Sequence, residues 1–342
     1  MSKRIVGISP WSPKDGTADY GMMLEAGIEW VRETLPFPYL SCEGDINPAY
    51  AAKLERLKKI KSAGMKIGCV SFGAGGERYI KELGRRSTYR SLPDWLGAFD
   101  SDGFYECVYK AGRQIGKDAA GLVELWQISN EMDVVGFRGD MTIEQAGRFL
   151  VAQAKGVAEE SHGAHIGINP SEYYSENSAY LYDLCYAQNP GLLTYVGLDA
   201  YFGTWVPGKV QDFAEAIDIL YAKTGMPVFV CEWGYNSSGG EALDTDPENF
   251  FTVCDNGHFK FVWRKEHSPE EQADFVTTGV RLLLTYPNCM GFFYYSWGDD
   301  GYCWQCGKDW CPGESTWGIT DGHNNPKPAY FAMKENVLKY NK

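Results

Sequence analysis

The sequence predicts an α/β fold, a single (β/α)8 TIM barrel covering residues 1–342. Three observations lead to it. Short apolar runs alternate with longer amphipathic ones along the whole chain, the apolar runs number eight, and the first is followed by "GISPWSPKDG", which is no dinucleotide-binding glycine turn. Alternating strands and helices imply a parallel sheet with right-handed crossovers. Eight such units in 342 residues suit a closed barrel better than an open doubly wound sheet. No internal repeat, low-complexity tract or second domain is legible.

Taken in order, the strand candidates are "RIVGISP", "IEWVRET", "MKIGCVSF", "LVELWQIS", "HIGINP", "YVGLDAYF", "MPVFVCEW" and "CMGFFYYSW". Each is six to nine residues of largely apolar sequence, the length of a strand buried on both faces. Cys69, Cys231 and Cys289 lie inside such runs, where a free thiol behaves as a small hydrophobe. The segment "NPAYAAKLERLKKIKSAG" reads as a helix stopped by Gly64. Capping boxes open two more helices, at Thr142 with Gln145 and at Ser268 with Glu271, the latter with Pro269 in the first helical position.

Composition limits the function. The formal net charge of -13 disfavours nucleic acid as a partner, since that affinity depends on clustered Lys and Arg. No run approaches the roughly 20 apolar residues that span a bilayer, so no membrane partner is expected. "MSKRIVGISPW" lacks an apolar signal core, and the chain as given reads as cytoplasmic, or as secreted or periplasmic after loss of a signal. Aromatic residues, at 15%, are the compositional outlier, and their flat faces suit pyranose rings as well as cores. Nothing in the sequence sets the oligomeric state.

Chemistry in such barrels gathers at the carboxyl ends of the strands. Three loops there are long, at about residues 73–91, 235–267 and 298–327. Loops beyond roughly 12–15 residues usually line or cover sites. The fourth strand stops on Asn130-Glu131 and the seventh on Glu232. Strand alternation groups Glu131 with Gln127 and Ser129, and Glu232 with Val228 and Val230. Two carboxylates at one barrel mouth can approach to about 5–5.5 Å, the separation used in retaining glycoside hydrolysis.

An Asn-Glu pair ending the fourth strand and a Glu ending the seventh resemble the signature of clan A of the glycoside hydrolases. The resemblance implies Glu131 as acid/base, Glu232 as nucleophile and Asn130 as the residue holding the sugar 2-hydroxyl. It extends to Arg32 ending the second strand, where the clan keeps an arginine near the nucleophile. It also covers Tyr201 ending the sixth, where a tyrosine bonds the nucleophile, and Trp297 ending the eighth, where a tryptophan floors the sugar subsite. Asp199 departs from the pattern, standing where some families carry histidine. The closing "WGITDGHNNPKPAYFAM" is similar to the tail of several clan families.

Trp11, Trp205, Trp233, Trp304, Trp310 and Trp317 fall at or beyond strand ends, as sugar platforms or loop packing; Trp233 and Trp205 are taken as binding residues with Trp297. His258 and His323 are expected to make polar loop contacts. The basic "ERYIKELGRRSTYR" reads as a solvated helix face, or as a reader of anionic sugars through Arg78, Arg85, Arg86 or Arg90. Cys303, Cys306 and Cys311, spaced C-x2-C-x4-C in a turn-rich loop, leave three readings open. They are a zinc site completed by Cys254 or His258, a disulfide framework, or free thiols. No cofactor is needed by a two-glutamate mechanism. The sequence therefore predicts a retaining β-glycosidase, acting from the end of short oligosaccharides. The alternatives are an endo-acting mannanase- or galactanase-like enzyme and a sugar-binding barrel without catalysis.

Overall fold

The computed structural model describes residues 3–10, 18–80, 85–244, 246 and 252–342. Its parallel sheet contains β1 (Ile5–Ile8), β2 (Trp30–Thr34), β3 (Lys66–Val70), β4 (Val123–Gln127), β5 (His165–Gly167), β6 (Val196–Asp199), β7 (Val228–Trp233) and β8 (Cys289–Tyr294). These are the eight runs picked out from sequence. Their order in the sheet is β5-β4-β3-β2-β1-β8-β7-β6, so only β5 and β6 lack a continuous ladder. That seam closes through Thr194 N–H to Ile166 O at 2.8 Å and Asp199 N–H to Pro170 O at 3.0 Å. The result is a (β/α)8 barrel.

The crossover helices are α1 (Tyr20–Glu25), α2 (Pro48–Ser62), α3 (Asp102–Asp118), α4 (Ile143–Glu160), α5 (Glu176–Tyr182), α6 (Phe213–Thr224), α7 (Pro269–Thr285) and α8 (Pro328–Tyr340). Gly64, at φ +89°, stops the chain after α2 as expected. The Thr142–Gln145 capping box forms in full at α4. At α7 only half of the second box forms. Ser268 accepts from Glu271 N–H, but the Glu271 carboxylate is buried and takes Arg264 Nε at 2.9 Å instead. A charged partner in a buried setting outweighs one more backbone N–H.

Two apolar layers result from strand alternation. Inside the barrel, Trp30, Leu125, Tyr195, Phe229, Cys231 and Phe293 form one cluster. Outward-facing residues such as Val31, Val123, Val228 and Val230 join the larger core under the helices. The Phe293 ring needs the space left by two glycines, since a Cβ on Gly7 or on Gly68 would lie 2.4 Å from it.

The segment after β3 corrects the sequence reading. Gly75–Ile80 and Arg85–Arg90 are not a helix but an antiparallel hairpin, with Gly76 opposite Tyr89 and Arg78 opposite Ser87. Aromatic and β-branched residues recur across it, and two glycines let its backbone approach its neighbours closely. A Cβ on Gly75 would stand 2.2 Å from Tyr89 O, and one on Gly76 2.6 Å from Gly136 O in the short helix Val135–Arg138. The hairpin thus lies on the loop that carries Glu131. Arg90 stacks on Phe99 at 4.7 Å and donates to Leu92 O, so it serves the packing. Arg78 stacks on its cross-strand neighbour Tyr89 at 5.3 Å, and the Arg85 and Arg86 side chains lie outside the described residues. Among the described residues no helix is long and apolar enough to cross a membrane.

Candidate active site

The two glutamates reach the mouth by different backbone devices, neither of them plain alternation. β4 ends at Gln127, and the chain then passes through left-handed conformations at Ser129 (φ 58°) and Glu131 (φ 41°). Such conformations cost roughly 1–3 kcal/mol each for non-glycine residues and concentrate at functional sites. Ser71 at the end of β3 holds this turn by accepting Ser129 N–H at 2.9 Å. In β7 the partner β6 matches Leu198 to Val230 and Asp199 to Glu232, which leaves Cys231 as an extra residue. This bulge reverses parity. Val228 and Val230 face the helices while Phe229 and Cys231 face inward, so Glu232 does not share the face of Val228 and Val230.

Glu131, Glu232 and Asp199 meet at the mouth, each offering a carboxylate oxygen within 4.8 Å of the others. Both glutamates are only 9% exposed. Arg32 from β2 donates Nη2 to Glu232 Oε1 at 2.5 Å, and the Tyr201 hydroxyl donates to Glu232 Oε2 at 2.5 Å. Both oxygens of Glu232 are thereby engaged. Three carboxylates could in principle take a hard cation, but Arg32 and Tyr201 already occupy that side of the cluster.

Asn130 is held by its oxygen. Its Oδ1 accepts from Arg32 Nη2 at 2.7 Å, Gln127 Nε2 at 2.9 Å and Asn169 Nδ2 at 2.9 Å. Three donors on one atom fix the amide orientation and leave Nδ2 to donate away from the barrel wall. Gln127 completes the frame by accepting Arg32 Nε at 2.9 Å. Sequence reasoning assigns no role to Asn169 and uses Gln127 only for register. The available signal is a polar residue near the carboxyl end of an otherwise apolar strand.

Burial first, then the charges of Glu232 and Asp133, push the Glu131 carboxyl well above the usual carboxylate range, against the opposing pull of Arg32. Asp199 is raised in the same direction, again by burial first and by Glu232 and Glu131 next. Its Oδ2 accepts Asn169 Nδ2 at 2.6 Å, while its buried Oδ1 receives no N–H or O–H donor among the described residues. Glu131 and Asp199 also interact through their side chains, and two carboxyls hydrogen-bond only when one of them is protonated, in keeping with the upward shift of both. Burial also pushes Asp133 up to about 6, although Ser171 N–H at 3.1 Å stabilises its charged form.

The aromatic assignments divide. Tyr201 stands against Trp317 at 5.0 Å and Tyr295 at 6.2 Å, forming a wall beside Glu232. Trp297 is not on that wall. It is fully buried, and its Nε1 donates to Asn324 at 2.6 Å, so it offers no face to a sugar. Tyr295, two residues earlier and partly exposed, takes the place beside Glu232. Trp233 is likewise a core residue, packed between Phe213, Phe292 and Tyr294 beneath α6 and α7. The bulge that aims Glu232 inward aims Trp233 outward. Trp205 is half-buried against Phe259 and a cluster of cysteines. Trp304 and Trp310 are exposed, and Trp11 lies outside the described residues. His258 Nδ1 meets Asp246 Oδ2 at 2.8 Å, a polar loop contact. The His323 backbone N–H donates to Asp321 Oδ1 at 2.8 Å in another loop.

This (β/α)8 barrel is a fold shared with several solved glycoside hydrolase structures. Among solved structures, a GH5_18 enzyme variant from Streptomyces cattleya in complex with Manb1-4GlcNAc is similar at 15% identity and TM-score 0.69, over 99% of this chain and 81% of that one. The GH53 catalytic domain of Ignisphaera aggregans is similar at 16% identity and TM-score 0.63, over 99% and 96%. A fungal beta-1,4-galactanase follows at 13% identity and TM-score 0.61, over 96% and 94%. No protein-family model and no curated protein matches the sequence.

Proposed function

We propose that the protein is a retaining β-glycosidase working by double displacement, with Glu232 as nucleophile and Glu131 as acid/base. The observation that carries this reading is the pair of carboxylates itself. Glu131 and Glu232 place oxygens within 4.8 Å of each other, which favours the close carboxyl spacing of a retaining enzyme, about 5–5.5 Å, over the about 6.5–9.5 Å of an inverting one. In the first step a Glu232 oxygen attacks the anomeric carbon. The glycosidic bond breaks, and the Glu131 proton passes to the leaving oxygen. Bonding of Glu232 consumes its charge, so the Glu131 pKa falls and its carboxylate can deprotonate the incoming water. That water cleaves the glycosyl ester and restores both carboxyls. Asn130 Nδ2 is oriented to donate to the 2-hydroxyl, a contact that strengthens in the oxocarbenium-like transition state.

Exo action on short oligosaccharides is the form we favour. The hairpin after β3 leans on the Val135–Arg138 helix, and the β7 and β8 loops are joined through Cys254, Cys303 and Cys311, so the mouth is walled on two sides. Exposed Tyr89, Tyr174, Tyr302 and Trp304 stand on loops at the carboxyl end of the strands and suit sugar faces. Their number on several loops also fits an endo-acting enzyme with a chain-binding cleft, so product analysis on defined oligosaccharides distinguishes the two.

The test is Glu131→Ala on an aryl glycoside with a good leaving group, with and without azide. Rescue yielding a β-glycosyl azide is expected. An unimpaired variant refutes the assignment, and binding without turnover across a broad glycoside panel would favour a sugar-binding barrel.

A further inference from the structure

We propose that Cys254, Cys303, Cys306 and Cys311 form a structural Zn2+ site that ties the β7 loop to the β8 loop and sets Trp304 at the mouth. The four sulfurs come from two separate loops, yet all lie within 4.8 Å of one another. Tetrahedral zinc with Zn–S distances near 2.3 Å requires sulfur–sulfur separations of about 3.8 Å, so small side-chain adjustments suffice. All four cysteines are free thiols, and three of them are buried. An all-sulfur tetrahedron selects zinc or iron among common metals, and zinc needs no redox partner. On binding, each thiol gives up its proton to solvent, leaving four thiolates on one divalent ion.

The backbone around the cluster is shaped for this purpose. Cys303–Lys308 forms a tight knuckle in which Cys306 N–H and Gly307 N–H both turn back to Cys303 O, at 3.3 and 2.7 Å. Gly307 takes φ +74°, a conformation that favours glycine, directly after the second cysteine of "CWQCGK". Cys303 N–H closes the knuckle on Lys308 O at 2.9 Å. Gly313 N–H points at Cys311 Sγ at 3.4 Å, a donor that stabilises a thiolate. The Lys308 ammonium bonds Cys254 O, which brings a positive charge beside a site that would carry two net negative ones. Val253, Phe259 and Trp205 surround the sulfurs with apolar contacts. His258, the other candidate for the fourth ligand, is turned to Asp246.

The knuckle also reaches the catalytic mouth. Trp304 and Gln305 lie between two of the ligands. Gln305 Nε2 donates to the buried Glu314 at 2.7 Å, and the Trp304 indole lies close enough to Glu314 and to Tyr295, which stands beside Glu232, to influence both. This positioning role rests on the proposed glycosidase function, whereas metal occupancy does not.

Metal content of the full-length protein, purified under reducing conditions without chelator and measured by plasma mass spectrometry, is the deciding experiment. We expect one zinc per chain, and loss of most of it in Cys306→Ser. Should that variant fail to fold, cobalt exchanged into the native protein must give the intense visible bands of a tetrahedral tetrathiolate. Absence of zinc after reconstitution with Zn2+, iron in its place, or disulfides among these cysteines by non-reducing peptide mapping each overturns the proposal. Turnover by zinc-depleted enzyme then reads the second half. A rise in KM of about threefold or more with nearly constant kcat is expected, and unchanged KM removes the positioning role while leaving the metal site.

Discussion

The Tyr201 hydroxyl donates to Glu232 Oε2 at 2.5 Å, on the oxygen that Arg32 does not hold. The two donors together fix the rotamer of the proposed nucleophile while leaving its approach to the anomeric carbon from the mouth open. A hydrogen bond to a charged group is worth about 1.5–3 kcal/mol. Tyr201→Phe is therefore expected to lower kcat/KM by roughly 10–100-fold, with a circular dichroism spectrum like that of the native protein. Steady-state kinetics on an aryl glycoside checks it, and a loss under twofold would show that Arg32 alone suffices.

The acid/base role proposed for Glu131 predicts a pH dependence. In this proposed role its proton goes to the leaving group, so kcat/KM falls as pH rises through its pKa. Burial and the Glu232 charge move that pKa well above the ordinary 4.5, which extends activity upward in pH. The alkaline limb of the kcat/KM profile is expected well above pH 4.5, and it should vanish in Glu131→Gln assayed with an aryl leaving group that needs no protonation. Persistence of the same limb in that variant would assign it to another group.

Much of this arrangement is legible in the sequence because barrel strands are short, apolar and end abruptly. All eight stand out, and with them Arg32, Asn130, Glu131, Tyr201 and Glu232. What escapes depends on local backbone departures that leave no periodic trace. The extra residue Cys231 reverses parity in β7, which removes Trp233 from the mouth. Beyond Tyr294 the chain leaves the strand, so Tyr295 rather than Trp297 stands beside Glu232. Asp199 reads as a departure from a family pattern, and only the closed barrel reveals it as a third carboxylate within 4.8 Å of the other two.

That third carboxylate has a cost in stability. Asp199 has a folded-state pKa well above its ordinary 3.8, so between the two values the native state binds more protons than the unfolded state. Its contribution is fully present below about pH 4 and is lost as pH rises through the folded pKa. Asp199→Asn keeps the shape and removes the titration. The Tm difference, variant minus native, is expected to be small or negative near pH 4 and to grow by about 2–6 °C toward pH 8, at roughly 1.4 kcal/mol per pKa unit. Thermal unfolding monitored across that range gives the answer, and a difference that does not change with pH would mean that Asp199 ionises normally.

The hairpin after β3 offers a test of how a wall of the mouth is held in place. Gly76 lies against the Val135–Arg138 helix so closely that a Cβ would stand 2.6 Å from Gly136 O and 3.1 Å from the Tyr89 hydroxyl. Backbone cannot yield as a flexible side chain can, so Gly76→Ala must move the hairpin, the short helix or both. That helix begins four residues after Glu131, and Val134 N–H bonds Glu131 O at 3.0 Å, which passes the displacement to the proposed acid/base. Overpacking of this kind costs about 1–3 kcal/mol. A lower Tm together with a raised KM is the expected result. Gly44→Ala separates the two effects, because a Cβ there would meet nothing within 4 Å although the backbone sits at φ +92°. It should lower Tm through backbone strain alone and leave KM unchanged, whereas equal KM changes in both variants would show that the hairpin contact has no bearing on the site.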